Sequence, residues 1–250
     1  MAFLDPVLGP LLTLNPLIIV LLISFIITVL ITVIYKYTTN QNLMKQLKDE
    51  MKEFQKEMKE LKNDPKKAME VNKKAMQTNM KYMSHSMRST LITFIPIILI
   101  FGWMNNSIAY EPIRPGEEFS IDASFSKNTQ GTIELVVPEG ITLITESEKT
   151  IKDDKATWVL KGEEGSYSND KALEFKFNNE IEYKNLIISN KQEFAPVTQV
   201  VKDSKLKIIK INNQPMKVLN LFGWKIGWLG TYIIFSILLS MLLRKILKVY

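Results

Sequence analysis

A chain of 250 residues that is 46% apolar and 23% charged matches a soluble protein on average, but here the average hides a segregated chain. The absence of Cys excludes a disulfide framework, thiolate metal sites and a Cys nucleophile, and a single His (His85) excludes multi-His zinc sites and leaves little for a His-dependent triad. None of the ten glycines falls in a G-x-x-x-x-G-K loop, so nothing points to an enzyme: no catalytic residue, metal site or cofactor is expected.

Residues 6–35, 89–110 and 226–243 contain no Asp, Glu, Lys, Arg or His. Their apolar portions are about as long as the roughly 17–25 residues a helix needs to cross the hydrocarbon core. The first span, 17–35, follows Pro16, which a helix start tolerates. Nothing basic precedes it and Lys36 with a lysine-rich segment follows. That flank is reversed for a secretory signal, so an uncleaved helix is expected. The second span, 89–110, carries Pro96, with Thr93 near enough to bond the carbonyl that the proline frees. The third runs from about 227 to 243 and ends in Arg244, Lys245 and Lys248.

Charge sets the expected orientation. Residues 36–88 hold 13 Lys/Arg against 7 Asp/Glu, whereas 111–217 hold 15 against 18. By the positive-inside rule, the N-terminus lies outside, the first loop and the C-terminus in the cytoplasm, and the second loop outside. Trp103, Trp224 and Trp228 then fall at outer span ends, where aromatic belts form. The pI of 9.2 is thus a cytoplasmic-face property. It fits anionic lipid or ribosomal RNA, and DNA readout has no support.

Between the first two spans, Met44, Leu47, Met51, Phe54, Met58 and Leu61 step by 3 and 4, a heptad seam. Asn63-Asp64-Pro65 breaks the helix, and Met69, Met76, Met80, Met83 and Met87 resume the pattern. An antiparallel coiled-coil hairpin is expected. Eight of the twelve methionines lie in it. They read either as its seam or as an adaptable surface for apolar partners, with Met76, Met80, Met83 and Met87 as capture candidates.

Residues 111 to about 214 read as an all-β, sandwich-like domain. Alternation marks strands at 119–125, 132–137, 141–145, 156–160, 173–177, 181–188 and 206–211. Asp153-Asp154 and Glu163-Glu164 read as surface turns. The organisation is a tail and first span over 1–38, a cytoplasmic Met-rich hairpin over 39–88, a second span over 89–110, an extracytoplasmic β domain over 111–217, and a third span with a basic tail over 218–250.

No acidic residue lies in any span, against an ion-coupled transporter. Ser24, Thr28, Thr32 and Lys36 step by four along the first span; Ser236, Ser240 and Arg244 do so along the third. Each row is either helix packing with hydroxyls bonded to carbonyls or one wall of a cytoplasm-open polar furrow.

The outward N-terminus, charged hairpin, second span, and a last span reading Gly227-Trp-Leu-Gly-Thr-Tyr232 and ending Leu242-Leu-Arg-Lys245 resemble the archaeal branch of the YidC/Oxa/Alb insertase superfamily, which includes the insertase subunit of the endoplasmic reticulum membrane complex. The resemblance covers 16–110 and 218–250. It implies a multi-pass protein of the plasma membrane that chaperones transmembrane segments into the bilayer through a hydrophilic groove, without a cofactor. Its partners would be nascent membrane proteins, with the ribosome meeting the basic hairpin and C-terminal tail. Relatives carry a groove cation, for which Lys36 is the nearest positional match and Arg244 the second. The alternative is a membrane-anchored receptor or envelope-organising protein whose β domain is the binding module.

Overall fold

The computed structural model describes residues 4–61 and 64–249. The chain forms two compact units, one of residues 14–102 and 229–249 and one of residues 5–13 and 103–228.

The first unit is helical. Its longest elements are α2 (Pro16–Thr38), α3 (Gln41–Glu60), α4 (Pro65–Ile108) and α5 (Trp228–Leu247), following the short α1 (Asp5–Leu8) of the other unit. Three of them, α2, α4 and α5, are long and apolar enough to cross a membrane. Local signals set the ends. Asn15 accepts a hydrogen bond from the Leu17 amide with Pro16 at the first helical position, and Asn40 accepts from Asn42 and Leu43. Asp64 accepts from the Lys67 amide ahead of α4, so the Asp-Pro part of the predicted break restarts the helix; Asn63 lies outside the described residues. In α2 the inward stripe is Ile19, Val20, Ile23, Ser24, Ile27, Thr28 and Thr32, all buried, while Ile18, Leu22, Phe25 and Ile26 are exposed. An apolar outer face is what lipid selects and water does not.

Two expectations need correction here. The second span lies within α4, one 44-residue helix, about 66 Å at 1.5 Å per residue, that also forms the second arm of the hairpin. Pro96 leaves it continuous, but Thr93 does not bond the Ile92 carbonyl that a proline at 96 would free. Its hydroxyl donates to Ser89 and Thr90 carbonyls instead.

The hairpin seam also differs from its expected form. On α3, Met44 and Leu47 are buried and Met51, Phe54, Met58 and Leu61 partly so. On α4 the inward positions are Ala68, Val71, Ala75, Thr78 and Tyr82, not the methionines. Met69, Met76, Met80, Met83 and Met87 are 60–74% exposed. Both stripes step by 3 and 4, about 140° apart around the helix at 100° per residue. The long methionines are left outside the seam.

The second unit is the β domain. Its strands are β1 (Phe119–Phe125), β2 (Thr132–Val136), β3 (Ile141–Leu143), β4 (Glu148–Thr150), β5 (Lys155–Gly162), β6 (Gly165–Tyr167), β7 (Leu173–Phe177), β8 (Glu180–Lys184), β9 (Leu186–Ile188), β10 (Thr198–Val200), β11 (Leu206–Ile211), β12 (Lys217–Leu221) and β13 (Trp224–Gly227). They form an antiparallel five-stranded sheet ordered β10-β11-β1-β5-β3, a four-stranded sheet ordered β4-β2-β7-β8, and the pairs β6-β9 and β12-β13. Ile121, Trp158, Leu160 and Ile209 from the first sheet and Leu135, Leu173 and Phe175 from the second share one core, the packing of a sandwich. Trp158 meets Phe175 edge-on at 5.6 Å and donates its indole N–H to the Ser147 carbonyl at 2.8 Å. The expected single strand over 181–188 is two, β8 and β9, in different sheets. Asp153 and Asp154, both at positive φ, form the turn into β5.

The domain is closed at its base. Gln192 donates its amide to the Ser107 and Tyr110 carbonyls at the end of α4, and the Trp103 indole donates to Asp5 at 2.9 Å.

Two ionisable groups make its stability depend on pH. Burial opposes the charge of Asp122, yet hydrogen bonds from Asn212, Lys155 and Thr157 outweigh it and hold the carboxyl below its ordinary value. That contribution is present at neutral pH and is lost as acid protonates Asp122. Lys184 is 2% exposed, its ammonium donates to the Pro196 carbonyl, and burial pushes it down to about 8. Between about pH 8 and 10.5 the unfolded chain binds more protons at this site, so stability rises with pH across that window. The gain is on the order of 3 kcal/mol. Thermal unfolding followed by near-UV circular dichroism should show this rise in the wild type and not in Lys184→Met; equal profiles would mean that Lys184 is charged and compensated when buried.

Candidate functional site: a polar cavity in the helical unit

The hydroxyl rows of α2 and α5 meet. Thr28, Ile31 and Thr32 of α2 and Tyr232, Ser236, Ile237, Ser240 and Met241 of α5 line one cavity of about 330 Å³. It has room for several waters. Ile237 and Met241 are exposed, so it opens at the bundle surface. The reason for the gap is that α5 buries only Thr231 and Tyr232 among its described residues, with Tyr232 edge-on to Phe101 at 4.8 Å.

The hydroxyl hydrogens are used locally. Ser24 donates to Val20, Thr28 to Ser24 and Thr32 to Thr28, each to a carbonyl at 2.6–2.7 Å, and Ser236 to Ile233 at 3.0 Å. This is the back-bonding of the packing alternative. It satisfies each donor and leaves the oxygen lone pairs as acceptors, so the wall is polar without carrying an unpaired buried hydrogen.

Of the predicted groove residues, four line the cavity: Thr28, Thr32, Ser236 and Ser240. Ser24 is fully buried and Lys36 is exposed; neither lines it. Arg244 stands four residues beyond Ser240, on the same side of α5. Its guanidinium lies 5.1 Å from the centre of the Tyr35 ring, a cation–π contact. Tyr35 is buried with Met44 and Val249, beside Tyr82 and Leu247, and donates its hydroxyl to Tyr82 at 3.3 Å. This aromatic cluster, which ties α2 to the hairpin and the C-terminal tail, was not anticipated from the sequence; Tyr35 and Tyr82 are 47 residues apart and share no local pattern.

The capture candidates Met76, Met80, Met83 and Met87 are exposed on α4. The same face continues as exposed Leu91, Phe94 and Ile98, spaced 4, 3 and 4 from Met87. Positions 76 to 98 thus form one apolar line along a single helix. A cavity of about 960 Å³ lies in the β domain among exposed Arg114, Glu111, Glu117 and Lys217, but its mixed charges define no ligand. Among the described residues no three His, Cys, Asp or Glu side chains converge on a metal position.

Three long apolar helices, two of which line a polar cavity, mark an integral membrane protein. Residues 2–138 match the integral membrane protein family described as EMC3/TMCO1-like, more than half of the chain, and the chain belongs to this family. The family is part of the Oxa1/YidC insertase superfamily, and the family's proteins are insertases, not enzymes. The matched region takes in α2, the hairpin, α4 and the first two strands, and ends before α5. No curated protein and no solved structure matches the chain.

Proposed function

We propose that this protein inserts transmembrane segments into the plasma membrane, capturing them on the α4 methionine face and passing their polar flanks through the cavity between α2 and α5. The observation that carries this reading is the meeting of two hydroxyl rows in one cavity within an otherwise apolar bundle. Family membership supplies the clients, membrane proteins. A charged residue at the bilayer centre costs about 3 kcal/mol. A wet, acceptor-lined groove reduces that cost without ATP, since water and the hydroxyl oxygens keep polar atoms bonded during transit. Arg244 is the better candidate for the groove cation, because it continues the Ser236–Ser240 row; Lys36 serves an exposed flank. The hairpin's excess of Lys and the basic tail would meet anionic headgroups and the ribosome.

In this reading the hairpin and C-terminus face the cytoplasm and the β domain faces outside. Both points are testable in one preparation. The purified chain in vesicles should raise the insertion of a client with a short translocated tail several-fold over empty vesicles; no increase contradicts the function. In cells, the Cys-free background permits labelling with an impermeant maleimide. Cysteine at exposed Ser166 should react from outside and cysteine at exposed Lys56 should not, and the reverse pattern contradicts the orientation.

A further inference from the structure

We propose that the β12–β13 hairpin is a lipid anchor, its tip seated in the headgroup layer of the leaflet where α5 begins. Leu221 pairs across the hairpin with Trp224, and Phe222 and Gly223 form the two-residue turn between them. Both turn residues have positive φ, 51° and 92°. Glycine adopts this backbone freely, and Asn-Gly is the usual pair in such turns. A bulky aromatic there costs about 1–2 kcal/mol. Phe222 is nevertheless the most exposed apolar residue described, fully open to solvent, and Trp224 is 70% exposed. None of Leu221, Phe222 and Trp224 belongs to the core of the β domain. Folding in water explains neither the strain nor the exposure.

Chain continuity names the occupant. Gly227 at the end of β13 is followed directly by Trp228, the first residue of α5, a 20-residue candidate span. Only the four residues of β13 separate the turn from that helix, at most about 17 Å from Gly223 to Trp228. The tip is thereby tethered close to the membrane–water interface, whichever side the β domain occupies. Aromatic side chains prefer that zone, and the exposed Lys217 and Lys225 in the two strands suit anionic headgroups. A two-stranded hairpin has unpaired edge amides and carbonyls that must stay hydrated, which keeps the tip in the headgroup layer and out of the hydrocarbon.

The test uses the full chain in vesicles of phosphatidylcholine with a minority of phosphatidylglycerol. The emission difference between wild type and Trp224→Phe isolates Trp224. Lipids brominated near the glycerol end of the acyl chains should quench that component by about half or more, and aqueous iodide should quench it several-fold less than it quenches free tryptophan. Independently, a nitroxide on Phe222→Cys should be more accessible to oxygen than to a water-soluble nickel complex, with the opposite order at Ser166→Cys. Trp224 unquenched by brominated lipid, with the label at position 222 behaving like that at 166, overturns the proposal; a tip reserved for a protein partner gives that result. Insertion activity does not enter either readout, so the anchor and the insertase reading fail separately.

Discussion

Exchanging Met76, Met80, Met83 and Met87 together for Gln should lower the yield of captured client at least tenfold and leave the melting of the protein nearly unchanged. All four are at least 60% exposed, so they contribute little to the hairpin, and surface substitutions of this kind stay within about 0.5 kcal/mol. Burying half of a methionine side chain against an apolar client is worth on the order of 1 kcal/mol at about 25 cal/mol per Å². Four such contacts exceed the 1.4 kcal/mol that a tenfold change requires. Met→Leu at the same positions should retain most of the yield, because the face needs apolar area more than sulfur, although Leu adapts less well to varied partners. Loss that tracks melting would return the methionines to a structural role.

The second large effect concerns the cavity. Replacing Ser236 and Ser240 by Ala and Thr28 and Thr32 by Val should slow insertion about tenfold for clients whose translocated tails carry several charges. An apolar hairpin client should change less than about twofold. A tenfold effect is about 1.4 kcal/mol on the barrier, well below the cost of one charged residue at mid-bilayer. Stability should barely move, because the α2 hydroxyls and Ser236 bond carbonyls of their own helix and hold no neighbour in place. Arg244→Gln should act selectively, reducing insertion of acidic tails more than basic ones. Equal loss for all clients would make the hydroxyls packing residues.

These two sites were legible to different degrees. Four-residue spacing exposed the hydroxyl rows, since a helix turns through 400° in four residues and returns near its starting face. Whether two rows face each other depends on how α2 and α5 pack, which no local spacing encodes. On α4 the sequence misled about the seam. Of its true inward residues only Val71 is a branched aliphatic, while Ala68, Ala75, Thr78 and Tyr82 are small or polar, and a reading weighted by hydrophobicity selects the methionine line with the same repeat. Strands 119–125 and 173–177 were legible to the residue because polar and apolar residues alternate along them, and 206–211 was too, although Ile208-Ile209 interrupts its alternation. The three-residue strands β4, β6 and β10 are too short to show a period. Leu219 to Ile226 looked like the approach to the last span because its apolar residues run on into α5; the Phe222-Gly223 turn that makes it a hairpin lacks the usual Asn-Gly.

Clients are expected to pass from the α4 methionine face into the cavity between α2 and α5. Photocrosslinkers at Met80, Ser240 and, as a control in the β domain, Ser166 can be challenged with ribosome-bound chains of increasing length that carry an apolar segment behind a polar tail. The predicted result is adducts from position 80 at short lengths, from position 240 at longer ones, and none from position 166. Adducts from 166 with none from 80 or 240 would contradict it and make the β domain the binding module of an anchored receptor.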